Sequence, residues 1–294
     1  MDTAGWGETI DRNRLLKALA GQSMGGVIEC HDEIGSTNDR ARELADLGQP
    51  HGTVVVAEEQ TAGRGRRGAA WCGVPGRDLM VSVLLRPSGE AVLSRVPLVA
   101  ALALARAVME QAGLKPLVKW PNDLWLNDRK LAGVLSETSG PAVVLGLGCN
   151  INSQAGDRSA EVAGLAISLR EAAAEERWWD RTSLLLSLLR QLQLLWPAVS
   201  DPVSIDPDLC LPTGSGLPPE FRNNNGSPWR AALGQLATMS QLNSGYWMAV
   251  ELNGQVITVR MEGLGHDGQL WVSDRDGRRQ ALYQVDRIRP LASG

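Results

Sequence analysis

The sequence predicts an α+β protein in which a mixed β-sheet with helices is followed by a small antiparallel β-barrel. Apolar segments with helical spacing are interspersed with short β-branched runs as far as residue 196. A stretch rich in Pro, Gly, Ser and Asn then spans residues 197–228, and short alternating runs separated by Gly turns follow it. We therefore expect an N-terminal extension (1–24), a main domain (25–196), a linker (197–228) and a C-terminal barrel domain (229–294).

Local signals predict the first elements of the main domain in order. A short helix is expected over "DRNRLLKALA", and an apolar strand precedes the helix-start signal Ser36-Thr37-Asn38, whose helix should end at Gly48. The runs "GTVVVAEEQ" and "LMVSVLLRP" are typical of strands. The long helix over "SRVPLVAALALARAVMEQAG" should end at Gly113, because glycine readily takes the left-handed conformation found at helix ends.

The second half of the main domain is predicted to be mainly β-structure. Strands are expected over "LVKW", "DLWLN", "KLAGVLSETS" and "AVVLGLGCNI", with a polar hairpin turn at Asn127–Lys130. The run "WWDRTSLLLSLLRQLQLLW" has leucines at helical intervals, a cap at Asp180 or Thr182 and a stop at Pro197. Beyond the linker, a helix over "WRAALGQLATMSQL" leads into the strand-like runs of the expected barrel.

Composition narrows the classes of function. The net charge is −4 and the arginines cluster in one loop, so broad nucleic-acid binding is not expected. Cys30, Cys72, Cys149 and Cys210 lie far apart without a CxxC pair, which argues against a zinc site and favours a reducing cytoplasm. No signal-peptide pattern and no run of ~18 apolar residues is present, so neither secretion nor a membrane span is expected.

The stretch "GRGRRG", Gly63 to Gly68, has the GxGxxG spacing of a dinucleotide-binding loop. Such a loop requires a helix directly after the glycines, because the pyrophosphate binds at the N-terminus of that helix. Gly73, Pro75 and Gly76 interrupt the chain there instead. The sequence therefore favours a loop whose arginine side chains bind a carboxylate or phosphate, with no acidic partner inside the loop. A solvated basic turn is the alternative.

Four motifs give these features a context. "IGSTND", "EEQTAGRGRRGAAW", "VKWPNDLWLNDRKLAGVLSE" and "GLGCNIN", in this order, resemble the biotin protein ligases over roughly residues 28–195, and more weakly beyond. The resemblance implies a class II synthetase-like catalytic domain and an SH3-like C-terminal barrel. It also implies the monofunctional type, because only residues 1–24 precede the first strand, which is too few for an N-terminal DNA-binding domain.

The resemblance implies a reaction in two steps. Biotin and MgATP give biotinyl-5'-AMP and pyrophosphate, and the biotinyl group then passes to one lysine of the biotin carboxyl carrier protein of acetyl-CoA carboxylase. The biotin carboxylate and the ATP polyphosphate repel each other, so cations must bring the two anions together. ATP, Mg²⁺ and biotin are the implied small molecules, the carrier protein is the implied partner, and neither DNA nor a membrane is implied.

The resemblance also assigns roles to individual residues. Lys130, Arg66 and Arg64 are implied to be catalytic. The implied biotin-binding residues are Ser36, Thr37, Asn38, Gln60, Gly63, Arg64, Arg66, Lys130 and Gly133. The implied ATP-binding residues are Arg66, Arg67, Lys119, Asn122, Asp123, Asn150 and Arg289. Asp123 is also the implied Mg²⁺ ligand, since this ion prefers oxygen donors.

Several alternatives stay open. A lipoate or octanoate ligase or transferase shares the fold and the lysine, although the arginine-rich loop together with "KWPND" favours biotin. A non-catalytic adaptor would keep the fold but lose the cations, which this chain retains. Ala69 and Ala70 stand where many relatives carry another Arg or Lys, which leaves the handling of pyrophosphate open. A monomer and a homodimer are both compatible with the sequence.

Overall fold

The computed structural model describes residues 9–87, 93–175, 177–201, 210–213, 227–252 and 254–291. These residues form two β-sheets, and α-helices pack on the larger one. Most of the linker predicted for residues 197–228 lies outside the described ranges. Among the described helices, none has the length and apolar character that crossing a membrane would require.

The larger sheet contains the strands of the main domain. They are β1 (Ile28–Ile34), β2 (Thr53–Gln60), β3 (Leu79–Leu85), β4 (Leu117–Lys119), β5 (Asp123–Leu126), β6 (Arg129–Ser139) and β7 (Ala142–Cys149). Their spatial order is β1-β2-β3-β7-β6-β5-β4. β1 and β2 run parallel and the other neighbouring pairs are antiparallel, so the predicted mixed sheet is confirmed.

The hairpin between β5 and β6 lies at the predicted position. Asn127 and Asp128 have φ angles of 48° and 58°, the left-handed conformation that Asn and Asp tolerate and that tight hairpins need. The turn brings Lys130 to the start of β6, opposite Trp125 of β5. A local turn signal thus fixes the position of the lysine that the sequence singles out.

Helices cover both faces of the larger sheet. They are α1 (Arg12–Ala18), α2 (Thr37–Asp46), α3 (Arg95–Ala112), α4 (Ala160–Ala163), α5 (Leu169–Ala172), α6 (Arg181–Leu195) and α7 (Pro228–Thr238). On one face α2 buries Ala41 and Leu44 against Val55, Leu84 and Val144. α3 and α6 pack together on the other face, where alternate side chains of the same strands point.

The helix ends follow the local signals. α3 is buried on nearly every side, as expected of a helix that is apolar all round. It ends at Gly113, which has φ 67° and donates its backbone N–H to the carbonyl of Met109, as predicted. α6 begins after Asp180, whose carboxylate accepts a hydrogen bond from the backbone N–H of Thr182. Of the two candidates, Asp180 and Thr182, Asp180 is therefore the N-cap residue.

The C-terminal strands form a second sheet. They are β8 (Trp247–Leu252), β9 (Gln255–Leu264), β10 (Leu270–Ser273), β11 (Arg279–Leu282) and β12 (Arg287–Pro290). The order is β11-β10-β9-β8-β12, with antiparallel neighbours throughout. The α+β class and the separate antiparallel unit are confirmed. The strand pairs of the described residues leave β11 and β12 as edges, so they do not close the sheet into the expected barrel.

A turn of the second sheet contacts the main domain. We call it the docking turn, residues 265–269 between β9 and β10. The indole N–H of Trp120 donates to the carbonyl of Gly268 at 2.8 Å. The Arg95 guanidinium, 4% exposed, bonds Asp267 at 2.9 Å and lies 4.7 Å from the ring centroid of Trp229. α7 packs on both α3 of the main domain and β9 of the second sheet. The domain boundary near residue 228 therefore stays a prediction.

Candidate active site

A cavity of about 230 Å³ opens where the N-terminus of α2 and the loop after β2 face β6 and β7. We call residues 61–70 the arginine loop. Most of the side chains singled out from the sequence line this cavity. They are Ser36, Thr37, Asn38, Gln60, Arg64, Arg66, Asn122, Asp123, Lys130 and Gly133. These residues come from three separate motifs, and Gly146 and Gly148 of the fourth motif also line the cavity.

The arginine loop is not the loop of a dinucleotide-binding fold. It contains a single 3-10 turn at Arg66–Gly68, in which Arg67 has φ 57°, and an isolated antiparallel bridge between Arg64 and Ala70. No helix follows within residues 69–78, all of which are described. Gly63 permits close packing, because a Cβ there would clash with the carbonyl oxygen of Trp71. The loop therefore offers side chains and its own amides to an anion, and no helix N-terminus directly after its glycines.

Acidic and polar partners for the arginines come from outside the loop. Both terminal nitrogens of Arg64 bond the two carboxylate oxygens of Asp39 on α2, at 2.6 and 2.5 Å. Arg67 forms an ion pair with Asp286, which precedes β12. The expectation that no acidic partner lies inside the loop is met, and the acidic partners of Arg64 and Arg67 come from residues far away in sequence.

Arg66 lines the cavity, and within the described residues it forms no ion pair with a carboxylate. Its guanidinium donates to the side-chain oxygen of Asn122 at 3.0 Å and to the carbonyl of Val285 at 3.4 Å. Burial, together with the charge of Arg67, lowers the pKa of this guanidinium. Since an arginine remains protonated in proteins, Arg66 is a cation that neutral acceptors hold in place.

One end of the cavity is lined by a buried polar cluster. The backbone N–H and hydroxyl of Thr37 both donate to the side-chain oxygen of Gln60, at 2.8 and 3.0 Å. The Ser82 hydroxyl lies 2.8 Å from the Thr37 hydroxyl and 2.6 Å from the side-chain oxygen of Asn38. Ser36 precedes α2 but makes no side-chain capping bond, so its buried hydroxyl is available to a ligand.

Lys130, at the start of β6, also lines this cavity. Its ammonium nitrogen is 2.8 Å from a carboxylate oxygen of Asp123 and 5.7 Å from the ring centroid of Trp71. Gly133 and Gly148 make room for the Trp71 indole, because a Cβ at either position would press on its ring. These two glycines therefore accommodate the Trp71 side chain.

Two further cavities meet the first one. A cationic cavity is lined by Lys119 and Arg289, together with Arg66, Asn122 and Asp123. Burial lowers the pKa of Lys119, with smaller effects in the same direction from Lys130 and Arg289, while Asp123 opposes the shift. Three of the residues named in the sequence thus place positive charge around one opening.

The third cavity is the most apolar of the three. It is about 320 Å³ in volume and is lined by Trp71, Lys130 and Asn150, with Val162 and Ala166 on its far wall. The side-chain amide of Asn150 lies 3.3 Å from the carbonyls of Lys130 and Ile167. Asn150 therefore ties two walls together. Lys130 and Trp71 stand between this apolar cavity and the polar one.

The oxygen ligands for a metal are few. The described residues contain no group of three or more His, Cys, Asp or Glu side chains that could hold a metal ion. Asp123 faces the cavity but pairs with Lys130, and the side-chain oxygen of its neighbour Asn122 accepts from Arg66. Magnesium commonly binds one or two protein carboxylates and completes its shell with phosphates and water, and Asp123 fits only that kind of site.

Comparison with known proteins identifies the family. The model of the biotin/lipoate A/B protein ligase family matches residues 32–152. The biotin--[acetyl-CoA-carboxylase] ligase of Mycobacterium tuberculosis is 35% identical over 191 residues, which cover 62% of this chain and 67% of that protein. The chain belongs to the biotin/lipoate A/B protein ligase family.

Other members of this ligase family are similar over the same region. The bifunctional ligase/repressor BirA of Bacillus subtilis is 37% identical over 188 residues, or 61% of this chain. The match spans 57% of the length of that relative. The biotin protein ligase from Aquifex aeolicus in complex with biotin and ATP has a TM-score of 0.71 and 25% identity, with 90% of this chain and 99% of that chain covered.

The motifs of the ligase family did not reveal every residue of the site. Ser82 on β3 and Glu137 on β6 complete the polar cluster, the latter by accepting from the Asn38 amide at 2.7 Å. Asp39 and Asp286 hold the arginine loop. Asp39 and Glu137 are the last residues of two of the motifs, and no local pattern distinguishes either from a solvated acidic residue. The roles assigned to individual site residues stay predictions.

Proposed function

We propose that the chain is a biotin–protein ligase that forms biotinyl-5'-AMP from biotin and MgATP and transfers the biotinyl group to a lysine of a carrier protein. One observation carries the proposal. Lys130 and Arg66 stand where a polar-ended cavity meets an apolar cavity and a cationic one. This arrangement suits a reaction that joins the carboxylate of one ligand to the α-phosphate of another.

The polar-ended cavity matches the chemistry of biotin. A ureido ring offers one carbonyl oxygen and two N–H groups, and these must be paired when the ring is buried. Ser36 and Thr37 carry hydroxyls, and Gln60 and Asn38 carry amides, in the buried cluster at one end. With the ring at this end, the biotin carboxylate would extend toward Lys130 and Arg66, whose charges attract it.

The other two cavities match the parts of ATP. The apolar cavity beside Trp71 has the size and character to accept a purine base, which buries well against aromatic and aliphatic side chains. Lys119 and Arg289 line the cationic opening where a polyphosphate would lie. Arg67 would join them once a phosphate replaces its present partner, Asp286. Asp123 would hold Mg²⁺ together with the phosphates, and the bound ion would supply further positive charge there.

The first step joins the two substrates. A carboxylate oxygen of biotin attacks the α-phosphorus, the bond from that phosphorus to the bridging oxygen breaks, and pyrophosphate leaves with the electron pair. Arg66 and Lys130 reduce the repulsion between the anions as they approach and stabilise charge on the transferred phosphoryl group. Arg64, held by Asp39, keeps the arginine loop over the cavity.

The second step transfers the biotinyl group. A neutral lysine amine of the acceptor attacks the acyl carbon of the adenylate, the acyl–oxygen bond breaks, AMP leaves, and the amine gives up a proton to water. We propose the biotin carboxyl carrier protein of acetyl-CoA carboxylase as acceptor, on the support of the names that the relatives carry. We assign the reaction to the cytoplasm, since all four cysteines are unpaired thiols.

Biotin-dependent ATP–pyrophosphate exchange tests the proposal. The wild-type chain should catalyse exchange with biotin and not with lipoate or octanoate. Exchange driven by lipoate or octanoate would replace the proposal with the alternative of the same fold, and no exchange with any acid would refute it.

Lys130→Ala tests the central residue. Exchange should fall by about 10²–10³, the loss typical of one charged contact to a reacting group. Biotin affinity, measured by calorimetry, should change little because the polar cluster is untouched. Lys115→Ala, at an exposed lysine of the same domain, is the matched control and should behave as wild type. Near-normal exchange by Lys130→Ala would contradict the role.

A further inference from the structure

The segment between β7 and α6 supports Lys130 through its backbone. The N–H of Lys130 donates to the carbonyl of Leu165, and the N–H of Ile167 donates to the carbonyl of Lys130, both at 2.9 Å. The stretch from Leu165 to Ile167 therefore pairs with the start of β6. We call residues 153–171 the wall segment, because several of its residues form the far wall of the apolar cavity.

The Arg158 side chain connects distant parts of the wall segment. Its side chain is only 4% exposed. One terminal nitrogen donates to the backbone carbonyl of Ser153 at 3.1 Å and to the Ser153 hydroxyl at 2.9 Å, and the other lies 3.4 Å from the carbonyl of Ala166. The guanidinium thus connects the first residues of the segment to the stretch that pairs with Lys130.

Glu171 balances the buried charge of Arg158. Its carboxylate accepts from Arg158 at 2.7 Å and from the backbone N–H of Ser168 at 2.9 Å, which also caps α5. Burial raises the pKa of the Glu171 carboxyl, but the bonds from Arg158 and Ser168 outweigh burial and leave the pKa below its usual value. A buried charge that loses its partner is strongly destabilising to its surroundings, so the pair must act as a unit.

We propose that Arg158, fixed by Glu171, is a positioning residue that holds the wall segment against Lys130 and so shapes the apolar cavity for the base of ATP. The inference rests on the proposed function, because it takes the apolar cavity to be the base-binding part of the site. Arg158 itself lines that cavity, and its buried Nε has no hydrogen-bond partner among the described residues.

The position of Arg158 predicts an effect on ATP but not on biotin. The polar cluster for biotin lies on α2, β2, β3 and, through Glu137, the far part of β6, whereas the side-chain contacts of Arg158 lie within the wall segment. Loosening the wall segment would widen the apolar cavity and free the backbone of Lys130, while Thr37, Gln60 and Asn38 would keep their bonds. Affinity for the nucleotide should fall, and affinity for biotin should stay.

The experiment compares four variants in the full-length chain. Arg158→Gln removes the charge, Arg158→Lys keeps it without the planar fork, and Glu171→Gln keeps the shape of the partner without its charge. Glu161→Gln changes an exposed acid of α4 and is the matched control. For each variant, KM for ATP and kcat in biotin-driven exchange, direct binding of ATP by tryptophan fluorescence, Kd for biotin and Tm would be measured.

We expect Arg158→Gln to raise KM and Kd for ATP by tenfold or more while Kd for biotin stays within twofold. Glu171→Gln should shift the ATP constants in the same direction, Arg158→Lys should recover part of the loss, and Glu161→Gln should match wild type. Unchanged ATP constants would overturn the inference, as would parallel losses of ATP and biotin affinity with a lowered Tm, which would indicate a general structural role.

The inference remains testable if a variant fails to fold or if the proposed function is wrong. If Arg158→Gln fails to fold, Glu171→Gln and Arg158→Lys carry the same comparison, and unchanged ATP affinity in both would overturn the inference. A wild-type chain that binds ATP but shows no biotin-driven exchange would refute the proposed function, whereas the fluorescence measurement would still test the role of Arg158 in nucleotide binding.

Discussion

Replacing Arg66 with glycine tests whether the arginine loop retains the reactive intermediate. Arg66 is the loop arginine that faces the cavity with only neutral acceptors, the side chain of Asn122 and the carbonyl of Val285. Arg66→Gly removes the cation that would meet the adenylate phosphate. It also removes the contacts of Arg66 with Asn122, the residue before β5, and with Val285 in the segment before β12.

The magnitude follows from these contacts. A hydrogen bond to a charged group contributes about 1.5–3 kcal/mol, and an added glycine makes an ordered loop harder to form by roughly 0.5–1 kcal/mol. Since about 1.4 kcal/mol corresponds to a factor of ten, escape of the adenylate should become at least 10- to 100-fold faster. Arg64 and Arg67 keep their acidic partners, so the loop should remain attached at both ends.

The assay measures escape relative to synthesis. Wild type and Arg66→Gly are incubated with biotin, MgATP and albumin, a protein that is not a natural acceptor. Pyrophosphate release reports how much adenylate forms, and an avidin blot reports biotin on albumin lysines. The ratio of albumin labelling to adenylate formed should rise by about the factor above.

An arginine outside the site gives the control. Arg275→Gly changes an exposed arginine in the turn between β10 and β11 and should leave the ratio unchanged. An equal ratio for Arg66→Gly and wild type at matched synthesis would refute the reasoning, and the arginine loop would then be a basic turn without a role in retention.

Two further substitutions test other parts of the site. Gly146→Ala would place a Cβ against the side-chain amide of Asn38. Kd for biotin, measured by calorimetry, should therefore rise about tenfold, the effect of losing roughly one buried hydrogen bond. Gly156→Ala, with no neighbour within 4 Å, is the control and should match wild type. Asp39→Asn tests the tether of the loop. The hydrogen bond from Arg64, with a further one from Arg42, lowers the pKa of the Asp39 carboxyl. The stabilising contribution of the carboxylate is therefore complete above about pH 4 and is lost as pH falls through the lowered pKa. Urea unfolding from pH 6 to 3 should therefore show a smaller loss of stability for Asp39→Asn than for wild type or for Asp46→Asn, and identical slopes would contradict the tether.

The elements that the sequence predicted well are those fixed by neighbouring residues. Gly113 ends α3, and Asn127 and Asp128 make the hairpin that leads to Lys130, because each adopts a backbone conformation that few other residues tolerate. Asp180 caps α6 for an equally local reason. Most of the residues that the motifs predicted for the site line one cavity, and the motifs named them for a different reason, the resemblance to a family.

The features that the sequence missed depend on residues far apart in the chain. Ser82 joins Thr37 across 45 residues, and the bond from Arg66 to Val285 spans 219 residues. No periodicity or spacing reports such pairs, because they exist only once strands and loops have packed. The open order of the second sheet has the same cause: whether strands close into a barrel depends on pairing between its ends, which local runs do not determine.

The docking turn has a consequence for how the chain folds as it is synthesised. Trp120, between β4 and β5 of the larger sheet, donates to the carbonyl of Gly268, which lies 148 residues later. Val118 of β4 forms an isolated parallel β-bridge with Ser240. The edge of the larger sheet is therefore completed by chain that leaves the ribosome more than 100 residues later. A nascent chain that ends before residue 227 carries all four ligase motifs, yet its "KWPND" segment still exposes the Trp120 indole, so competence to bind substrate should appear late in synthesis.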